Sequence, residues 1–191
     1  MDDDDSNFKA CQESFFHKVP LPRDNILTIE SFDDPTVAAQ LYESKLQHVL
    51  QGRPIDMVLL GLGPDGHTAS LFPNHELLKY SGPRMVMPIF DSPKPPSQRI
   101  TLTLDTINSS QEVVFIATGG GKAARLQDIL SPSDTCTTVE EGKGKVCGIV
   151  GQESVVFPPT LVSPARVTWL IDDPAAALIK AHSHIEFISG S

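Results

Sequence analysis

The sequence predicts an α/β fold, a three-layer and mainly parallel sheet with helices on its faces. Continuous apolar runs of strand length recur at Asp56 to Leu60, Val113 to Thr118 and Val167 to Asp172, and such unbroken runs suit parallel strands, which are buried on both faces. Each run stops at a turn of Gly, Pro or Asp and is followed by a segment of helical composition, the alternation expected of βαβ units. The 191 residues, 40% hydrophobic and 20% charged, are enough for one domain with a substantial core, so residues 1–191 are expected to form a single domain.

The elements follow in order. An acidic run, Asp2 to Asp5, leads to Ser6-Asn7, which is placed to cap a helix over Phe8 to His17. Pro20 and Pro22 end that helix. Asn25 to Ile29 reads as a short strand or extended link. Asp33 or Asp34 before Pro35 starts a second helix, in which Ala38, Leu41, Tyr42, Leu46, Val49 and Leu50 recur at helical spacing as far as Gly52 and offer an apolar stripe to the sheet. The strand Asp56 to Leu60 comes next, and a short helix after His67 is expected to end near Pro73.

A strand over Met85 to Ile89 runs into Asp91-Ser92-Pro93-Lys94-Pro95-Pro96-Ser97, a loop too rich in proline for regular structure. Arg99 to Leu104 alternates as a half-buried strand does, and Asp105 to Ser110 is a short helix or turn. Val113 to Thr118 is broken by Gly119-Gly120-Gly121, with Lys122 opening a helix through Leu130. Residues 131–159 show no clear period and read as a long loop or insertion. The strand Val167 to Asp172 precedes an alanine-rich helix from Pro174, and no internal repeat is present.

Composition excludes several functions. A net charge of −9 without clustered Lys and Arg argues against nucleic acid as a partner. No apolar run approaches the length of a membrane span, and the acidic start is unlike a basic signal or transit peptide, so a cytoplasmic protein is expected. Cys11, Cys136 and Cys147 are odd in number and lack metal-type spacing; reduced thiols are expected over a Cys136–Cys147 bridge.

The chemistry centres on Gly61-Leu62-Gly63-Pro64-Asp65-Gly66-His67 at the carboxyl end of the first parallel strand. Ligands of open α/β sheets bind at that end, and glycines let backbone N–H groups approach them. Asp65 and His67 sit two apart in one turn, so both can face the same small volume. Imidazole takes and returns protons near neutral pH, and a carboxylate beside it fixes its tautomer. Such a pair is also common in plain surface loops.

A second glycine loop, Gly119-Gly120-Gly121 before Lys122, offers helix-terminal N–H groups and an ammonium to a phosphate. It is not a Walker loop, since the spacing and the following Ser or Thr are missing, and a solvated lysine is the alternative. Arg99 opens a strand after a rigid loop and is placed to fork onto a phosphate, although a surface ion pair is the commoner use. A metal site of Asp65, His67 and His75 is a weaker reading without zinc-type spacing.

Taken whole, Gly61-Leu62-Gly63-Pro64-Asp65-Gly66-His67-Thr68-Ala69-Ser70-Leu71-Phe72-Pro73 closely resembles the signature of the 6-phosphogluconolactonases. Gly119-Gly120-Gly121-Lys122-Ala123 is similar to their Gly-x-Gly-Lys-Ala segment. Asp91-Ser92-Pro93-Lys94-Pro95-Pro96 with Arg99-Ile100-Thr101, and Trp169 with Asp172 and the alanine-rich end, resemble further family segments. The resemblance implies hydrolysis of 6-phosphoglucono-1,5-lactone to 6-phosphogluconate in the oxidative pentose phosphate pathway, with no metal and no cofactor. It implies His67 as general base, Asp65 as its orienting group, N–H groups of the loop bearing Gly61, Gly63 and Gly66 at the oxyanion, and Lys122 with Arg99 at the phosphate.

The related glucosamine-6-phosphate deaminases share the fold and the Asp-Gly-His but continue with a Phe-Asn-Glu-Pro type segment. Here Ser70-Leu71-Phe72-Pro73 supplies no carboxylate, which disfavours isomerisation and deamination. The family's earlier Gly-Gly-Ser loop and Asp-Glu-Arg strand are not found, so the chain is expected to begin partway into the family domain. A non-catalytic chain that binds a sugar phosphate or a protein is the competing expectation.

Overall fold

The computed structural model describes residues 7–29, 34–130, 136–138, 145–147 and 155–179. In chain order the elements are α1 (Asn7–Ser14), α2 (Pro35–Leu50), β1 (Met57–Gly61), β2 (Val86–Ile89), β3 (Arg99–Leu102), α3 (Leu104–Asn108), β4 (Glu112–Ala117), α4 (Ala123–Leu130), β5 (Cys136–Thr138), β6 (Lys145–Cys147), β7 (Val167–Ile171) and α5 (Asp173–Ala176). They fall in two compact units, Met1–Arg53 with Pro83–Leu102, and Pro54–Gly82 with Thr103–Ser191.

The first unit holds α1, α2 and an antiparallel pair, β2 with β3, in which Val86 faces Leu102 and Ile89 faces Arg99. The expected cap Ser6 lies outside the described residues. Of the two readings of Asn25 to Ile29, the link holds and the strand does not: Arg23–Asn25 makes a 3-10 turn closed by the Ile26 N–H on the Arg23 carbonyl, and residues 26–29 follow without strand pairing. Helix α2 begins where expected, the Asp34 carboxylate accepting the Thr36 N–H at 2.8 Å with Pro35 in the first turn.

The covered face of α2 keeps most of the stripe expected from spacing, with Ala38 buried and Tyr42, Leu46 and Leu50 half-buried, and departs from it at three positions. Ala38, Ala39 and Glu43 are buried, while Leu41 and Val49 are 41% and 51% exposed. A carboxylate is buried on this face as well. Glu43 accepts the N–H groups of Met85 at 2.5 Å and Val86 at 3.3 Å and pairs with the Arg84 guanidinium at 2.6 Å, tying α2 to the start of β2. Buried carboxylates are kept only where donors surround them. Glu43→Ala leaves two backbone amides and a cation without their acceptor and is expected to destabilise the chain by about 2–3 kcal/mol in denaturant unfolding, with Glu43→Gln costing less.

The second unit carries the parallel sheet, in the order β1-β4-β7. Met57 to Gly61 pair with Glu112 to Ile116, and Val113 to Ala117 pair with Val167 to Ile171. On one face Val58, Leu60, Val113, Phe115 and Ala117 are buried, and Phe115 stacks on Trp169 with ring centroids 4.2 Å apart. On the other, Met57, Leu59, Ile116 and Leu170 are exposed. The apolar runs suggested burial on both faces throughout. Among the described residues, β4, the central strand of β1-β4-β7, is the one of the three buried along most of its length.

No helix follows His67. Thr68 and Leu71 exchange backbone hydrogen bonds of 2.8 and 3.2 Å instead, and Ala69 takes a φ of 50°, which turns the chain back before a helical turn can form. A 3-10 turn, Glu76–Lys79, comes only afterwards. Within the stretch read as a loop, β5 and β6 pair antiparallel with Cys136 opposite Cys147. The side chains of that pair, the rest of the stretch as far as 154 and the chain beyond 179 lie outside the described residues. Cys11 is an exposed free thiol.

Candidate active site

The parallel register brings three loops to one end of the sheet. Gly61 is opposite Ile116 and Ala117 is opposite Ile171, so the segments beginning at Leu62, Thr118 and Asp172 leave side by side, from strands about 4.8 Å apart. Beneath them Leu62, Ala117, Leu126 and Ala175 form one buried cluster, with Trp169 and Ile171 packed against it. Each loop is therefore anchored through its first apolar residue or the helix that follows it.

The first loop closes on itself. The Gly63 N–H donates to the His67 carbonyl at 2.8 Å, the Gly66 N–H to the Gly63 carbonyl at 2.9 Å, and the Thr68 hydroxyl to the Gly61 carbonyl at 2.9 Å. This ring of bonds sets His67 Nδ1 2.6 Å from Asp65 Oδ1. The imidazole is 18% exposed and the carboxylate 35%, and the ring lies against Phe72 with centroids 4.9 Å apart. A carboxylate at Nδ1 makes that nitrogen the donor and leaves Nε2 as the proton acceptor. The pair has the geometry of an oriented base.

The glycines turn out to serve the side chains. A Cβ on Gly63 would land on the His67 ring and 2.6 Å from Asp65 Oδ1. Gly66 has a φ of 89°, and the Phe157 ring occupies the space where its side chain would be. A Cβ on Gly61 would meet nothing within 4 Å. The N–H groups of Gly63 and Gly66, expected to face a ligand, are engaged inside the loop. Phe157 had no signal in the sequence; it reaches the loop because Val156 exchanges hydrogen bonds with Asn74, at 2.9 Å to the side-chain oxygen and 3.4 Å from the Asn74 N–H.

The second loop follows β4. Gly119 has a φ of 86°, and Gly120–Lys122 forms a 3-10 turn that runs into α4. Lys122 is half-buried on the same sheet end as the Asp65–His67 pair. Arg99 belongs to the first unit, where its guanidinium donates to the carbonyls of Lys94 at 3.1 Å, Pro95 at 2.8 Å and Pro96 at 3.0 Å and so closes the proline-rich loop. His75 caps the 3-10 turn by accepting the Leu77 N–H at 3.2 Å. Among the described residues, no three His, Cys, Asp or Glu side chains are gathered as metal ligands.

The profile of the family described as glucosamine-6-phosphate isomerases/6-phosphogluconolactonase matches residues 1–147. The chain belongs to this family. The 6-phosphogluconolactonase of Homo sapiens is 38% identical over 184 residues, covering 94% of this chain and 64% of that protein. That of Rattus norvegicus is 39% identical over 184 residues, covering 94% and 63%. The chain thus spans a little under two thirds of these relatives. The crystal structure of 6-phosphogluconolactonase from Leishmania guyanensis matches with a TM-score of 0.66 at 27% identity, over 94% of this chain and 70% of that one. The α/β fold with its parallel sheet is therefore that of the glucosamine-6-phosphate isomerase/6-phosphogluconolactonase family, and among the described residues no helix is long and apolar enough to cross a membrane.

Proposed function

We propose that the chain hydrolyses 6-phosphoglucono-1,5-lactone to 6-phosphogluconate in the oxidative pentose phosphate pathway, and that it does so in the cytoplasm. The observation that carries the reading is the Asp65–His67 contact of 2.6 Å at the sheet end from which the Lys122 loop also leaves. Asp65 holds the Nδ1 proton and His67 Nε2 takes a proton from water as its oxygen attacks the lactone carbonyl. The tetrahedral oxyanion collapses, the bond to the ring oxygen breaks, and that oxygen recovers the proton from His67. The ammonium of Lys122 and the amides that open α4 hold the remote phosphate, and its binding energy positions the carbonyl for attack.

Spectrophotometric hydrolysis of 6-phosphoglucono-1,5-lactone by the purified chain tests the proposal directly. Turnover above the spontaneous rate supports it, and 6-phosphogluconate binding without turnover supports the non-catalytic alternative. Lys122→Met is expected to raise KM about tenfold or more with a much smaller change in kcat, because the lost cation touches a part of the substrate that does not react.

A further inference from the structure

We propose that Asp172, at the end of β7, is the residue that holds the glycine loop in its phosphate-binding form, an inference that rests on the phosphate role of the Lys122 loop. Its carboxylate accepts the Gly119 N–H with both oxygens, at 2.9 and 3.0 Å, and the Ala175 N–H at 3.0 Å. One side chain therefore fastens the loop after β4 and caps the helix after β7. The two strands are paired up to Ala117 and Ile171, so the carboxylate bridges neighbouring strand ends.

The bridge falls where the chain needs support. Gly119 sits at a φ of 86°, and the space where a Cβ would lie is open to 4 Å. Glycine in that region keeps wide conformational freedom. The Asp172 carboxylate is the fixed contact at its N–H. The Lys122 N–H then closes the next turn on the Gly119 carbonyl at 3.0 Å, and the Ala123 N–H on the Gly120 carbonyl, so the amides of Gly120 and Gly121 open the helical turn. Released from Asp172, the loop would exchange conformations, and Lys122 with those amides would meet a phosphate only part of the time. Asp172 is thus a positioning residue: it acts on the substrate through the loop.

Asp172→Ser separates its two tasks. Serine is as good a helix cap as aspartate, so the Ala175 N–H keeps an acceptor, but one hydroxyl on a shorter side chain does not span to Gly119. The experiment compares the wild type, Asp172→Ser and the milder Asp172→Asn in hydrolysis of 6-phosphoglucono-1,5-lactone and of unphosphorylated glucono-1,5-lactone, and in 6-phosphogluconate binding by calorimetry. For Asp172→Ser we expect KM for the phosphorylated lactone to rise about tenfold with kcat falling less than about threefold, weaker 6-phosphogluconate binding by a similar factor, and a roughly tenfold loss of preference for the phosphorylated over the plain lactone. Asp172→Asn should move in the same direction by less, because its amide N–H₂ replaces one of the two oxygens facing Gly119.

Unchanged KM and binding in both variants, beside an active wild type, would overturn the role of Asp172 alone. So would an equal loss of kcat/KM for both lactones, which marks general damage. A wild type that neither binds 6-phosphogluconate nor prefers the phosphorylated lactone would remove the phosphate reading of the loop, and this inference with it.

Discussion

His67→Ala is expected to lower kcat for 6-phosphoglucono-1,5-lactone by about 10³-fold, the usual worth of a positioned general base, while 6-phosphogluconate binding changes less than about threefold. The split follows from position. His67 lies in the loop after β1 and Lys122 in the loop after β4, so removing the imidazole leaves the phosphate contacts standing. Asp65→Asn should also lower kcat strongly, since an amide that presents its N–H₂ to Nδ1 turns the imidazole to the tautomer whose Nε2 carries the proton. Steady-state rates with calorimetric binding check both. Undiminished turnover in His67→Ala would remove the imidazole from the mechanism.

Gly63→Ala is the second large effect. The backbone at Gly63 has no positive φ, so alanine is not barred by conformation; the added methyl is barred by the Asp65–His67 pair, whose atoms already fill its place. The ring cannot stay at 2.6 Å from Asp65 and also clear the methyl. A base displaced by about an ångström forfeits roughly 10²-fold in rate. Gly61→Ala, where a Cβ meets nothing within 4 Å, should cost far less. A Gly63→Ala variant with wild-type kcat would show that the Asp65–His67 contact is not needed for turnover.

Much of the site was legible because its parts are close in sequence. Asp65 and His67 are two apart in a turn whose glycines mark the end of a strand, and Gly119 to Lys122 stand after another. The residues that hold these parts in place were not legible, since they come from distant segments. Phe157 packs on Gly66, and Asp172 fastens Gly119. No local period announces such pairings. The helix expected after His67 failed for a related reason. Ala69 turns the chain at a φ of 50°, and alanine gives no warning of a left-handed residue. In α2 the spacing placed Ala38, Tyr42, Leu46 and Leu50 on the covered face, where they are, but gave no sign that Glu43 joins them, held by two backbone amides and the Arg84 guanidinium, while Leu41 and Val49 stay exposed.

Met57, Leu59, Ile116 and Leu170, set to water on one face of the sheet, have a consequence at the bench. Sulfate and phosphate buffers strengthen the association of apolar surface, so they should salt this chain out early. The net charge of −9 makes copies repel one another in dilute buffer near neutrality. Purification in low-salt Tris rather than ammonium sulfate fractionation is the handling that this surface calls for.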